Sequence, residues 1–272
     1  MFILTLIIAG AVVGFLSTFF GVGGGAIIVP VLYGIFPDAP PAVVIGTSLS
    51  AIFFNSILNS YNFKRLNLKP RLDWGILLAV GMAIGVICSS HLIQGIEPRV
   101  VRLFFAGVLI VIALKTLLYN PKGPVSNNAL EGKIKLPKAI KIILTGIIGG
   151  TIAGITGLGG GTVVVPILLI FHKFSLASVP IYSNLAMIGG CLVGMIRYTQ
   201  ITSLKVVPEG FMALMQVGSV QFVAVVCIFV GTIFTNRLGA RFAQKVAKKT
   251  GKRLFVIFLF TMSGKILYSI YF

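Results

Sequence analysis

Acidic residues are scarce in this chain of 272 residues, which carries five Asp and Glu against 23 Lys and Arg. A cation carrier or a proton relay normally places carboxylates inside apolar segments, where a charge is expensive and therefore functional. Here the sequence predicts that every carboxylate lies in or beside a loop. This pattern argues against both functions. The five positions are Asp38, Asp73, Glu97, Glu131 and Glu209.

Histidine and cysteine are also sparse, with two and three residues. Cys88, Cys191 and Cys227 fall inside apolar segments without a Cys-x-x-Cys pair, which is typical of core packing. Two separated histidines form no metal-ligand cluster, and no nucleophile and base can be paired by their spacing. We therefore expect no metal, no cofactor and no enzymatic activity.

Apolar residues, in contrast, are abundant: 57% of the chain is hydrophobic and 10% is charged, where soluble domains carry about 25% charged residues. Apolar runs approach the roughly 20 residues that span a bilayer. The composition predicts an all-α, polytopic membrane protein. The candidate segments are Phe2–Phe20, Ala26–Phe36, Val43–Phe63, Trp74–Ile93, Leu103–Tyr119, Ile140–Thr156, Thr162–Phe171, Ile181–Thr199, Phe211–Phe234 and Leu254–Phe272.

The net charge of +18 comes from Lys and Arg in short loops beside these apolar runs. Cations in that position set the orientation of a membrane protein and meet anionic lipid headgroups. No stretch combines basic and aromatic residues as single-strand binding platforms do. We therefore expect membrane lipid, and not nucleic acid, as a partner.

A glycine-rich stretch occurs twice in the chain. Gly21-Val22-Gly23-Gly24-Gly25 is closed by Pro30, and Gly157-Leu158-Gly159-Gly160-Gly161 is closed by Pro166. The offset of 136 residues is half the chain length. When Gly10–Leu32 is aligned on Gly146–Leu168 without gaps, nine of 23 positions are identical. Matching breaks inside apolar segments are typical of repeat-built membrane transporters.

The repeats define the domain organisation. Repeat one covers residues 1–119 and repeat two covers residues 140–272. The connector at residues 120–139 is rich in proline, glycine and polar residues, as flexible linkers are. We expect this linker to be cytoplasmic.

The direction of the chain at each glycine break decides the topology. If each break is crossed in one direction, ten Lys and Arg fall on either side of the membrane. If the chain turns back at each break, seventeen fall on one side and three on the other. The positive-inside rule favours turning back. This predicts inverted repeats with both termini outside the cytoplasm; a re-entrant loop and two short spans both satisfy the count.

Each break is predicted to line a binding site. Unwound backbone at membrane depth is tolerated only beside protein or a water-filled cavity, and the half-helix that follows presents free N–H groups and a positive dipole end to an anion. The alternative is close helix packing, to which we assign Gly10, Gly14, Gly146 and Gly150. The glycines predicted to bind substrate are Gly23, Gly24, Gly25, Gly159, Gly160 and Gly161.

The next helix in each repeat supplies polar side chains at matching positions. Thr47 corresponds to Ser183 and Ser48 corresponds to Asn184 at the same offset. Such donors could hold the oxygens of a small oxyanion, and an arginine could attract it. The alternatives are that the polar groups tie helices together and that the arginine reaches the membrane surface. The predicted substrate-binding side chains are Thr47, Ser48, Asn55, Ser183, Asn184 and Arg197.

The doubled glycine motif, followed by Gly46-Thr47-Ser48-Leu49, resembles the sulfite exporter TauE/SafE family of bacterial membrane permeases along essentially the whole chain. The resemblance implies export, or less often uptake, of sulfite, sulfonates or related small organic anions across the bacterial inner membrane. Repeat two has Tyr182-Ser183-Asn184-Leu185 at the corresponding place, so the site need not be symmetric.

These expectations combine into a transporter that moves a small anion by alternating access between its repeats. A membrane scaffold or accessory subunit without transport, and an anion channel, are the alternatives. The sequence leaves open the substrate, the direction, the coupling ion and whether the chain forms a homo-oligomer.

Overall fold

The computed structural model of the chain describes residues 2–20, 23–37, 39–65, 71–118, 136–172, 174, 178–201, 215–245 and scattered positions from 253 to 268. These residues are almost all helical. The helices are α1 (Phe2–Phe20), α2 (Gly25–Ile35), α3 (Pro41–Arg65), α4 (Leu72–Leu92), α5 (Pro98–Leu118), α6 (Leu136–Thr156), α7 (Gly161–Ile170), α8 (Val179–Gln200) and α9 (Phe222–Lys245). A 3₁₀ turn at Ile93–Gly95 precedes α5, and a hairpin of β1 (Gln216–Val217) and β2 (Val220–Gln221) precedes α9.

Five of these helices are long and apolar enough to cross a membrane: α3, α4, α6, α8 and α9. Apolar side chains remain exposed on their outer faces, among them Ile76 on α4, Ile148 on α6 and Val226 on α9. An apolar face that no other helix covers suits contact with lipid. The chain is therefore an all-α protein built for a membrane, as its composition predicts.

The first three helices of each half correspond in order and length. At the offset of 136 residues, α1 matches α6, α2 matches α7 and α3 matches α8. The half-helices α2 and α7 have 11 and 10 residues, so at about 1.5 Å per residue neither spans the roughly 30 Å hydrocarbon core. Each half-helix begins one residue before its predicted start at Ala26 or Thr162.

Helices pack in exchanged pairs, meaning that the first helix of each half lies along a helix of the other half. α1 lies along α9, with Gly10 against the backbone of Ile228 and Gly14 against that of Thr232. α4 lies along α6, with Gly146 against the backbone of Leu78 and Gly150 against that of Met82. The first helix of each half therefore packs on a helix of the other half. The predicted packing role of these four glycines is confirmed.

Helices α3 and α8 cross the centre of the bundle in opposite directions. Gly46, near the start of α3, lies against Tyr198, near the end of α8. Asn59, near the end of α3, is hydrogen-bonded to Asn184, near the start of α8. Because the residue numbers run oppositely along the contact, the two helices are antiparallel.

The chain turns back after the first glycine break. Gly24 lies beside Val13 and Ser17 of α1. α2 then leads to Phe36, which shares a small cleft with Gln221 of β2, the residue just before α9. α1 runs parallel to α9, so this cleft is at the end of the bundle where α1 begins.

The chain turns back in the same way after the second break. Gly160 lies against Gly149 of α6. Phe174, just after α7, then packs edge-on against Trp74 at the start of α4, with ring centroids 5.5 Å apart. Since α4 and α6 run parallel, α7 returns toward the end of the bundle where α6 begins.

The prediction of one continuous apolar segment over Phe211–Phe234 is wrong in its first part. Residues 216–221 form the β-hairpin, and the helix begins only at Phe222. Gly218 has a φ of +56° at the turn, a left-handed conformation that glycine adopts at no steric cost. Ser219 fixes the hairpin by donating its N–H to the carbonyl of Tyr198. Residues 211–214 lie outside the described part of the chain.

The boundary of the predicted linker also shifts. α6 begins at Leu136, four residues inside the predicted 120–139 connector. Pro137 falls in its first turn, where a missing N–H costs nothing. The remainder of the linker lies outside the described residues.

Candidate functional site

The two glycine breaks adopt left-handed backbone that only glycine accepts readily. Gly23 and Gly24 have φ of 78° and 88° in the first break, and Gly157, Gly159 and Gly160 have φ of 72°, 75° and 72° in the second. Gly24 and Gly160 are the N-cap residues of α2 and α7, and neither helix has a side-chain cap. The first N–H groups of both half-helices therefore have no side-chain acceptor.

The breaks meet in the interior. A Cβ placed on Gly25 would lie 2.5 Å from both the carbonyl carbon and the oxygen of Leu158, so backbone packs directly on backbone. Met187 of α8 contacts Gly23 of one break and Gly161 of the other. Ile52 of α3 covers Gly159. The structure thus brings the predicted glycines of both repeats together.

Two predicted hydroxyls of repeat one have partners in distant parts of the chain. Ser48 donates to the carbonyl of Gly157 at 2.7 Å. Thr47 accepts the backbone N–H of Gln221 at 3.0 Å. Ser48 lies at the second break, whereas Thr47 faces the β-hairpin at one end of the bundle.

Asn184 of repeat two belongs to a chain of buried amides. Asn236 of α9 donates to Asn59 of α3 at 2.6 Å, and Asn59 donates to Asn184 of α8 at 3.3 Å. Asn184 in turn donates to the carbonyl of Pro180 at 2.7 Å. The series ties three helices together, so this predicted site residue also has a structural role.

Two other predicted residues are buried without partners. Asn55 and Ser183 are both 0% exposed, and neither the amide of Asn55 nor the hydroxyl of Ser183 has a hydrogen-bond partner among the described residues. The hydroxyl of Ser183 lies 3.1 Å from where a Cβ on Gly161 would be. Buried polar groups are usually paired, so the missing partners of these two side chains set them apart from the other predicted residues.

Arg197 is not brought to the breaks. It lies near the end of α8, where its guanidinium is 2.6 Å from Nε2 of His91 and donates to Gln200 at 3.1 Å. The structure therefore separates Arg197 from the glycines and hydroxyls with which it was grouped.

Several residues of this region were missed from sequence. Ser17 and Thr162 are buried beside the first and second breaks, and their hydroxyls have no partner in the part of the chain that the structure describes. Their place next to the glycines was an available signal. Asn236 falls two residues outside a predicted apolar segment. Nothing in the sequence marked Met187, an ordinary apolar residue, as the contact between the breaks.

No group of three or more His, Cys, Asp or Glu that could hold a metal ion occurs among the described residues. The polar groups gathered at the breaks are hydroxyls, amides and backbone N–H groups. Together they can donate hydrogen bonds to the oxygens of a small ligand.

An all-α bundle with apolar outer faces and two broken elements meeting at its centre defines a polytopic membrane transporter. The family described as Sulfite exporter TauE/SafE matches residues 6–266. The chain belongs to this family.

Related proteins carry the same general description. The chain is 30% identical over 196 residues to a "Probable membrane transporter protein" of Haemophilus influenzae, covering 72% of each chain. It is 29% identical over 256 residues to a protein of the same description from Methanocaldococcus jannaschii, covering 90% of this chain and 87% of that one. The relative YunE of Bacillus subtilis is 23% identical over 285 residues, with 97% of each chain covered. No solved structure matches.

Proposed function

We propose that this transporter moves small anions, namely sulfite, sulfonates or related organic anions, across the bacterial inner membrane by alternating access at a site between its two repeats. The meeting of two uncapped half-helix N-termini at the buried glycine breaks carries this proposal. Each N-terminus presents about half a positive charge and free N–H groups.

An anion fits better than a cation because neither of the two carboxylates that the structure describes lies in this region. Asp73 is exposed at the start of α4 and paired with Arg71 at 2.6 Å, and Glu97 is exposed before α5. The other three acidic residues lie outside the described part of the chain. The membership in a family named for sulfite export points to the same class of ligand.

Inverted repeats are part of the proposal. Their support is the antiparallel packing of α3 on α8, the exchanged pairing of the first helices, and the return of the chain after both breaks. Rocking of one repeat against the other about the glycine breaks would open the site to each side in turn.

Export is the proposed direction. Moving one negative charge out of a cell gains about 2.3 kcal/mol per 100 mV of inside-negative potential, so a monoanion exporter needs no coupling ion. With the chain turning back at each break, we expect the basic loops on one side, which the positive-inside rule makes the cytoplasmic side, and both termini on the other. A reporter fused after Phe272 should therefore be active outside the cytoplasm, and activity only inside would contradict this orientation.

Flux from proteoliposomes tests the transport function. Vesicles loaded with sulfite, methanesulfonate or acetate should release at least one of them at a rate that saturates with concentration and rises with inside-negative potential. Release of none of these anions would contradict the proposal and favour a scaffold. A rate that grows linearly with concentration, without saturation, would favour an anion channel.

A further inference from the structure

The two halves use their equivalent polar residues differently. In repeat one, Thr47 accepts the N–H of Gln221 and Ser48 donates to the carbonyl of Gly157. Ser183, at the position equivalent to Thr47, is completely buried and has no partner among the described residues. At this equivalent position, the hydroxyl of repeat one is hydrogen-bonded, and that of repeat two is not bonded to any described residue.

The hydroxyl of Ser183 lies at the start of α7. The Oγ of Ser183 is 3.1 Å from the position of a Cβ on Gly161, the first residue of that helix. Thr162, the second residue of α7, is 2% exposed, and its hydroxyl also lacks a partner among the residues that the structure describes. α7 has ten residues and no side-chain cap. Two hydroxyl donors thus lie at a helix N-terminus, and the described residues supply no acceptor for either hydroxyl.

Asn55 belongs to the same level of the bundle. It lies one turn along α3 from Ile52, which covers Gly159, and one turn before Asn59, which is bonded to Asn184 beside Ser183. Both polar atoms of its amide are buried, and neither has a hydrogen-bond partner within the described ranges. An amide contributes two donors to a ligand.

The start of α2 has different surroundings from the start of α7. The carbonyl group of Leu158 packs directly against Gly25. The first residue of α2 therefore already lies beside a hydrogen-bond acceptor of the protein itself. Ser17 of α1 lies beside Gly24, and its hydroxyl has no hydrogen-bond partner in the described part of the chain. Break one therefore packs against break two through its first helical residue.

We infer that a single anion site lies at the N-terminus of α7, built by Ser183, Thr162 and Asn55, and that it takes a singly charged oxyanion in preference to a dianion. This rests on the proposed function, because it names the site that the transporter would use. The donors are neutral, and a helix end supplies only about half a charge. A dianion would lose more hydration than such a site returns, and a neutral analogue would gain nothing from the dipole.

Three tetrahedral sulfur compounds of similar size test the charge preference on the purified full chain in nanodiscs. Methanesulfonate carries one negative charge, sulfate carries two and dimethyl sulfone carries none. Calorimetric titration should show that methanesulfonate binds at least about tenfold more tightly than the other two. Trp74, the one tryptophan of the sequence, adjoins Phe174, which adjoins Tyr182, so its fluorescence should respond to the same titration. Absence of methanesulfonate binding, or equal binding of sulfate, would overturn the inference.

Variants locate the site. Ser183→Ala and Thr162→Val should each weaken methanesulfonate binding about tenfold, the effect of one charge-assisted hydrogen bond. Ser50→Ala and Thr261→Val are the matched controls, because both hydroxyls bond carbonyls of their own helices, and they should change affinity less than about twofold. The two site variants are independent, so misfolding of one leaves the other informative. Equal effects of site and control variants, or an equal loss in Ser17→Ala, would overturn the location.

Flux measured on the same variants separates the two proposals. If the site variants and controls transport equally well while the wild type transports anions, the site is wrong and the transport function stands. If methanesulfonate binds with the predicted variant pattern but no anion crosses the membrane, the site stands and the transport function is wrong.

Discussion

The hydroxyl of Ser48 donates a 2.7 Å hydrogen bond to the carbonyl oxygen of Gly157, which is 109 positions away in sequence. The bond joins α3 of the first half to the glycine break of the second half. Asn184 occupies the equivalent position in α8 but is bonded to Pro180 and Asn59. The breaks are therefore related in sequence and held by different contacts.

Ser48→Ala should destabilise the second break. The change leaves the buried carbonyl of Gly157 without the hydroxyl donor, which typically costs about 1–3 kcal/mol. We expect a lower melting temperature in detergent and a lower anion flux from proteoliposomes. Ser50→Ala is the control, because its hydroxyl bonds a carbonyl of its own helix. Equal melting temperatures for the two variants would contradict a role for this bond.

Gly160→Ala should impair the protein more than Gly107→Ala. Gly160 has a φ of +72°, and a Cβ there would lie 2.6 Å from Cε of Met82 and 2.8 Å from the carbonyl oxygen of Gly149. The left-handed conformation alone costs a residue with a side chain about 1–2 kcal/mol. Gly107 has nothing within 4 Å of such a Cβ. Flux and melting temperature should both fall in the first variant, and an unimpaired Gly160→Ala protein would show that the break tolerates a side chain.

The amide series should behave as a coupled unit. Asn59→Leu removes the acceptor used by Asn236 and the donor used by Asn184, so we expect a loss of stability of about 2–4 kcal/mol, the cost of losing two buried hydrogen bonds. In a double-mutant cycle, Asn59→Leu combined with Asn236→Leu should cost less than the sum of the single changes by about 0.5–3 kcal/mol. Chemical denaturation of the four proteins gives the coupling energy. Strict additivity would mean that the 2.6 Å bond between these amides contributes nothing.

Stability should fall in mild acid through His172. Burial, and then the charge of Lys141, lower the pKa of His172 below its ordinary value of 6.5. The unfolded chain then binds more protons than the folded one, so stability decreases as the pH falls from 6.5 toward the folded pKa and levels off below it. The neutral ring also lies 2.9 Å from the hydroxyl of Thr145.

The measurement is the melting temperature at about pH 7.5 and about pH 5. The wild type should lose more between these values than His172→Gln, which cannot titrate. An equal loss in both proteins would assign the acid sensitivity to other groups.

Much of the architecture follows from local sequence. The half-helices begin at Gly25 and Gly161, one residue from their predicted starts, because a left-handed N-cap is a property of a few adjacent glycines. The glycines at 10, 14, 146 and 150 pack helices as predicted, since their spacing places them on one helix face. The β-hairpin at 216–221 was not predicted, because its short strands lie within an apolar run.

The candidate site, like the fold, was predicted only in part from the sequence. The sequence by itself determined that two glycine breaks exist, that hydroxyls and amides follow each, and that neither break contains an acidic residue. Only the tertiary structure decided which of these groups are already bonded, because the partners of Thr47 and Ser48 are Gln221 and Gly157, far along the chain. Hydrogen bonding depends on distance in space, and a repeat in sequence cannot show that Thr47 has a partner while Ser183 has none among the described residues.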